Sequence, residues 1–338
     1  VNNLSNKIND IGGTPLDNLR DFVSLDLQKV DELIYKLIKS KVALIPEISN
    51  HTITSGGKRL RPMLTLACAQ MCGYTGTSHI ELAASVEFIH TATLLHDDVV
   101  DKSDLRRGVL TANSLWGNKE SVLVGDFLLG KAFELMGSAS SLEVYRVLSN
   151  AAVVISEGEV KQLAVTGKLD ISEEEYFEVI NAKTAELFAA ACQISGVVAN
   201  RKDEEISALR QYGLSLGAAF QIIDDILDYS ADQEQLGKNV GDDFREKKIT
   251  LPVIIAYKNA NAEERQFWQK CFDKNTNFEP SLLNTAIKFI NERGSKAETL
   301  RIARSITTEA AKSLKTFSNS PIRQVLLDVL EFVVRRDF

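Results

Sequence analysis

Residues 82–101 read LAASVEFIHTATLLHDDVVD. Apolar side chains recur at three- and four-residue intervals until Asp97, Asp98 and Asp101 close the run. That is the period of a helix with a buried face, ending in a cluster of acids. The same pattern returns in residues 213–230, GLSLGAAFQIIDDILDYS, which close on Asp224, Asp225 and Asp228. Each run carries DDxxD, with a serine two positions beyond the last aspartate.

Working outward, no proline interrupts the chain between Pro62 and Pro252. Helical periodicity covers 82–100, 121–136, 144–165, 173–198 and 204–229, and resumes at 251–260. Alternating strand patterns and Asn-Gly turns are scarce. Residues 73–78, 102–117, 138–141, 166–170 and 230–250 read as loops, and 262–338 stay periodic though richer in charge. No flexible linker is visible. The expectation is an all-α bundle of long helices forming a single domain over residues 1–338.

Composition narrows the function. Glycine numbers 19 and proline 6 in 338 residues, which excludes collagen-like and turn-rich all-β chains. Lys plus Arg is 39 and Asp plus Glu is 46, a net charge of −7. This balance argues against a nucleic-acid partner, so an anionic ligand must be held by a local cluster. Cys68, Cys72, Cys192 and Cys271 lack zinc-site spacing, and Cys68 and Cys72 share one apolar helix face. They read as buried core thiols of a reducing compartment. The N-terminal residues lack an apolar signal core, and no run suits a membrane span. A cytoplasmic location is expected.

The acidic helix ends need a physical reason. Asp97 and Asp101 are one turn apart on one face, as are Asp224 and Asp228. Three carboxylates in five residues repel one another, and a helix C-terminus adds to the penalty. One such motif would pass as a solvated helix end; two copies call for a cation. Carboxylates are hard ligands that suit Mg²⁺ or Mn²⁺, and Mg²⁺ completes its shell with water and substrate phosphate. Neither segment has the central Gly and twelfth-position Glu of an EF-hand loop.

A phosphate-bearing ligand needs basic partners. Gly56-Gly57-Lys58-Arg59-Leu60-Arg61-Pro62 precedes a helix and forms a plausible anion cradle. Arg106 and Arg107 follow the first motif, and Lys238, Lys247 and Lys248 follow the second. His90 lies two turns before Asp97 on the same face, along Val86, His90, Thr93, Asp97 and Asp101. No P-loop signature is present.

The stretches GGKRLRP (56–62), HDDVVDKSDLRRG (96–108), Lys183-Thr184, FQIIDDILDYS (220–230) and GKNVGDD (237–243) resemble the trans-isoprenyl diphosphate synthase, or polyprenyl synthetase, family. The resemblance covers nearly the whole chain. GEVKQL (158–163) and LGKNVGDD (236–243) are most similar to long-chain members that make quinone side chains, such as octaprenyl diphosphate synthase. It implies a homodimeric helical bundle around a deep central cavity. It implies an enzyme that condenses isopentenyl diphosphate head-to-tail onto an allylic diphosphate such as farnesyl diphosphate. Carried over, Asp97, Asp101, Asp224 and Asp228 would bind Mg²⁺, three ions per site, with Asp98 and Asp225 in support. Arg106, Lys183, Thr184, Gln221, Lys238 and Lys248 would hold the allylic diphosphate. Lys58, Arg61, His90 and Arg107 would hold isopentenyl diphosphate. The product would pass to a membrane.

In this family, bulky aromatics just before the first motif stop chain growth. Here Ala92 and Thr93 are small, which implies an open tunnel; Gly213 and Gly217 leave room on the second helix or serve close packing. Phe133 or Met136 is the expected floor. An octaprenyl product is expected, with geranylgeranyl, heptaprenyl, nonaprenyl and decaprenyl lengths as alternatives. A terpene cyclase usually carries a different second motif, and a non-catalytic subunit would be expected to lose an aspartate motif; both motifs here are intact.

Overall fold

The computed structural model describes residues 13–55, 57–230, 241–273 and 275–335. Within them the chain is all-α apart from one short hairpin. In order come α1 (Pro15–Phe22), α2 (Ser24–Leu37), α3 (Leu44–Thr54), α4 (Leu60–Met71) and α5 (Ser78–Val100). The hairpin β1 (Leu105–Arg106) and β2 (Val109–Leu110) leads to α6 (Ala112–Trp116), α7 (Asn118–Ser138) and α8 (Leu142–Val165). Next are α9 (Glu173–Ile180), α10 (Glu186–Val198) and α11 (Asp203–Leu227). The remainder is α12 (Asp242–Arg245), α13 (Leu251–Lys258), α14 (Ala262–Phe272), α15 (Pro280–Glu292), α16 (Ser295–Ser313) and α17 (Pro321–Arg335).

Local chemistry starts several of these helices. Thr14 and Asp17 cap α1 reciprocally with Pro15 at its first position, Ser172 and Glu175 do the same for α9, and Asn261 and Glu264 for α14. Burial then sorts the helices. In α10 the run Glu186, Leu187, Phe188, Ala189, Ala190, Ala191 and Cys192 is buried on every side. A helix apolar all round belongs at the centre. α10 packs on α4, α5, α8 and α11, so it bridges the two helices that carry the aspartate motifs.

That bridge depends on glycine. A Cβ added at Gly213 would lie 2.3 Å from the Phe188 carbonyl oxygen, and one at Gly217 2.6 Å from Ala185 Cα. These two glycines therefore let α11 press against α10. Of the two readings the sequence allowed, close packing is the one observed.

Two segments differ from the sequence reading. The pattern over 173–198 is not one helix: α9 passes into a π-helical turn, Asn181–Ala185, before α10 begins. Such wide turns concentrate at functional sites, and this one carries Lys183 and Thr184. The segment 102–117 is not a plain loop. Leu105 pairs with Leu110 and Arg106 with Val109 around a turn in which Arg107 (φ 54°) and Gly108 (φ 76°) are both left-handed. Positive φ at both central positions is the geometry that matches strand twist. Apolar alternation cannot reveal strands of two residues.

All four cysteines are free and buried. Among the described residues, no helix is long and apolar enough to cross a membrane. On the outer faces of α7 and α8, Leu123, Leu142, Tyr145, Val153, Val160 and Leu163 are exposed.

Candidate active site

The two acidic motifs lie at the C-terminal ends of α5 and α11, where Asp101 and Asp228 are the cap residues. The helix dipoles disfavour carboxylates there, and the structure answers each one differently. Asp98 is buried and accepts from Arg106 Nε at 2.7 Å. Asp101 pairs with Lys248 at 2.9 Å, which ties the first motif to the segment after the second. Lys183 Nζ stands 4.0 Å from Asp97 and 2.7 Å from Glu159. Asp228 accepts from the backbone N–H groups of Asp242 (3.1 Å) and Asp243 (3.0 Å). The start of α12 thus supplies donors where α11 ends. Asp225 accepts from the Tyr176 hydroxyl at 2.6 Å and from Gln221 Nε2 at 2.7 Å, and Thr184 Oγ1 donates to Gln221 Oε1 at 2.8 Å.

These partners leave negative charge in excess. Burial, reinforced by Asp243, pushes the Asp228 carboxyl up to about 8. Burial, with Asp97 beside it, pushes Glu159 up to about 7. Burial raises Asp98 even with Arg106 bound to it, and drives Asp225 well above the carboxylate range. Lys248 shows the complement. Burial alone would lower it, yet Asp243, Glu246 and Asp101 together raise it. Acids that hold protons near neutrality are short of cations, so the donor set suits a hard divalent ion. Among the described residues no three His, Cys, Asp or Glu groups form a closed metal cage. Mg²⁺ binding through one or two carboxylates, water and substrate phosphate does not need one.

A separate cationic pocket faces the acids. Arg61 Nη1 lies 3.3 Å from His90 Nε2, and its guanidinium sits 4.1 Å from the Phe188 ring centroid. Arg61 Nε is buried without a hydrogen-bond partner. Burial lowers Arg61 to about 10. Burial lowers Arg107, and Arg106 lowers it further. His90 falls well below the usual imidazole value through burial and then through Arg61, Arg106, Arg107 and Arg59. The field of Asp224 reaches both Arg61 and Arg107, so the pocket and the second motif border each other. Cations that suppress one another make a site for an anion.

Not every basic residue of the motifs belongs here. Arg59 is left-handed (φ 53°) and binds Glu87 at 2.5 Å and Asp31 at 3.3 Å, so it anchors the loop. At Lys58 only the backbone is tied down, its carbonyl accepting from Arg20 at 3.2 Å, which fixes the same loop and leaves the side chain out of that bond. Lys247 donates to the carbonyls of Asp273 and Thr276, which makes it a loop tie. Lys238 lies outside the described residues.

The π-turn completes the arrangement. A Cβ added at Gly158 on α8 would fall 2.7 Å from the Lys183 backbone nitrogen, so this glycine admits the turn. A cavity of about 110 Å³ is lined on its polar side by Lys183, Thr184, Gln221, Asp225, Asp243 and Lys248. Residue reading had not singled out Glu159, Tyr176 or Asp243. Glu159 stood inside GEVKQL, but Tyr176 looks like an ordinary core aromatic. Below the first motif Ala92 is fully buried, and Thr93 donates to the His90 carbonyl at 2.8 Å. On α7, Met136 is buried while Phe133 is exposed in the isolated chain.

The model of the family described as polyprenyl synthetase matches residues 42–290. The chain is 44% identical to octaprenyl diphosphate synthase of Escherichia coli (strain K12), covering 95% of this chain and 99% of that one. It is 39% identical to the geranyl-diphosphate-specific all-trans-nonaprenyl-diphosphate synthase of Rhodobacter capsulatus, covering 93% and 96%. A decaprenyl diphosphate synthase from Rhodobacter capsulatus superposes with a TM-score of 0.91 at 46% identity, covering 95% and 99%. A polyprenyl synthase from Caulobacter crescentus CB15, complexed with calcium and isoprenyl diphosphate, gives 0.92 at 44% identity, covering 95% and 98%.

Proposed function

The chain belongs to the polyprenyl synthetase family, and we propose from that premise a long-chain trans-polyprenyl diphosphate synthase with an octaprenyl product. The observation that carries this reading is the pairing of two DDxxD helix ends, tied together through Lys248 and Asp101, with a distinct buried pocket of Arg61 and His90. Two diphosphates need two such places.

Asp97, Asp101, Asp224 and Asp228 would hold Mg²⁺, three ions per site, with Asp98 and Asp225 in support. Bound there, the metal neutralises charge that grows on a departing diphosphate. Arg106, Lys183, Thr184, Gln221 and Lys248 hold the allylic diphosphate on the same side; Lys238, outside the described residues, is assigned to it from its motif alone. Arg61, His90, Arg107 and Lys58 hold isopentenyl diphosphate. In the reaction the allylic carbon–oxygen bond breaks and its electron pair leaves on the diphosphate. The isopentenyl double bond supplies the electrons of the new carbon–carbon bond, and the departed diphosphate takes the proton whose loss restores a double bond. Donors fixed by the fold stabilise the developing anion without reorganising. The chain needs no nucleophilic Ser or Cys, which fits four buried thiols.

The octaprenyl length rests on the identity to octaprenyl synthases and on small Ala92 and Thr93. A homodimer is proposed from the apolar row Leu142, Tyr145, Val153, Val160 and Leu163 along one face of α8. The experiment incubates the purified chain with Mg²⁺, isopentenyl diphosphate and farnesyl diphosphate and sizes the dephosphorylated product. A forty-carbon chain is the expected result. Another length resets the product, and no elongation at all overturns the enzyme reading.

A further inference from the structure

The reaction scheme leaves Tyr176 without a role, yet its hydroxyl enters the centre of the second motif. It lies on α9, immediately before the π-turn, and is buried. Its hydroxyl donates to Asp225 Oδ2 at 2.6 Å. The other oxygen, Oδ1, accepts from Gln221 Nε2 at 2.7 Å. That bond holds the Gln221 amide with its nitrogen toward Asp225 and its oxygen turned away. The outward oxygen receives the Thr184 hydroxyl at 2.8 Å. Three bonds in series thus connect α9, α11 and the π-turn.

The geometry points to Tyr176 as a positioning residue for the allylic-diphosphate side of the reaction. By holding Asp225 it holds Gln221, and through Gln221 it holds Thr184 in place. The inference rests on the proposed roles of Gln221 and Thr184 in binding that diphosphate. Both oxygens of Asp225 are engaged in this series, which explains how the middle acid of the motif acts by support. A buried polar series whose members are all paired fixes one arrangement of its side chains. Removal of its first donor leaves a buried acceptor short of a partner and frees the next group to turn.

The test uses Tyr176→Phe, which keeps the ring and removes the hydroxyl. Calorimetry measures binding of farnesyl thiolodiphosphate, an unreactive allylic analogue, and of isopentenyl diphosphate, each with Mg²⁺. The expected result is about a fivefold loss for the allylic analogue and no change for isopentenyl diphosphate. On a Gln221→Ala background the same substitution should cost nothing further, because the link from Asp225 to both binding residues is already gone. Ile290→Val, a packing change in the buried core of α15 outside the cavity lining, should lower Tm and leave both affinities alone. If Tyr176→Phe does not fold, Asp225→Asn keeps the shape while altering the acceptor, and should show the same selective loss. Unchanged allylic affinity, an equal loss for both ligands, or additivity with Gln221→Ala overturns the inference. A wild-type chain that binds both ligands but makes no product would instead overturn the enzyme reading alone.

Discussion

Arg59 and Arg61 are two positions apart in one basic motif and have opposite surroundings. Arg59 is closed between Glu87 and Asp31, whereas Arg61 rests on Phe188 with its Nε unsatisfied. Arg59→Ala should therefore act on stability. It strands the buried Glu87 carboxylate, and breaking a buried pair costs about 3 kcal/mol. Urea unfolding would read that loss; an unchanged midpoint would contradict the anchoring role. Asp97→Ala should act on turnover, lowering it roughly a thousandfold while the far-ultraviolet spectrum stays helical. Near-normal turnover would remove Asp97 from the metal set. Protonation adds a third expectation. Glu159 faces Asp97, Asp101 and Lys183, and Asp228 faces Asp242 and Asp243; they rise to about 7 and about 8. Unfolded carboxyls titrate near about 4. Between those values the folded chain keeps protons that the unfolded chain releases, so stability falls as pH rises from about 4 to about 8. In chelator, unfolding midpoints should decline over that interval, and Asp228→Asn should flatten the decline. A midpoint that climbs would show the acids to be already compensated.

Among the elements, the informative contact is α10 against α11. No atom larger than hydrogen fits between Gly213 and the Phe188 carbonyl. Gly213→Ala must push the helices apart, at a cost of about 1–3 kcal/mol. A calorimetric Tm at or above the wild-type value would refute the close approach. Ala92 on α5 presents a related problem, because it is fully buried. Ala92→Phe should shorten the prenyl product and also lower Tm, as an overpacked core would; an unchanged product distribution would clear that position of a length-setting role. The helices themselves were readable because burial on one side imposes a repeat of 3.6 residues, and capping pairs such as Ser172 with Glu175 are local. The π-turn was not readable. A wide turn shifts the apolar phase, but α10 is buried on every side and so shows no break in 173–198, and Gly158, which admits the turn, lies on another helix.

For the molecule as a whole, the α8 face remains to be covered. Val153 and Val160 are two turns apart, with 56% and 67% of their surface exposed. The proposed homodimer, if it is built on this face, should become a monomer in sedimentation on Val160→Asp while retaining helical content; a dimer unaffected by the change would move the interface elsewhere. Sequence alone reached the helical class and the two acidic ends, because periodicity and charge crowding are written within a few turns of chain. It also reached the family, through motifs that are contiguous. It could not separate Lys247, which donates to two loop carbonyls, from its neighbour Lys248, and it passed over Tyr176, which holds Asp225. Side chains of one type share a sequence signature whether they face a loop, a core or a substrate. Which partner each one meets depends on contacts across the bundle, such as Lys248 with Asp101, and only the packed structure creates those.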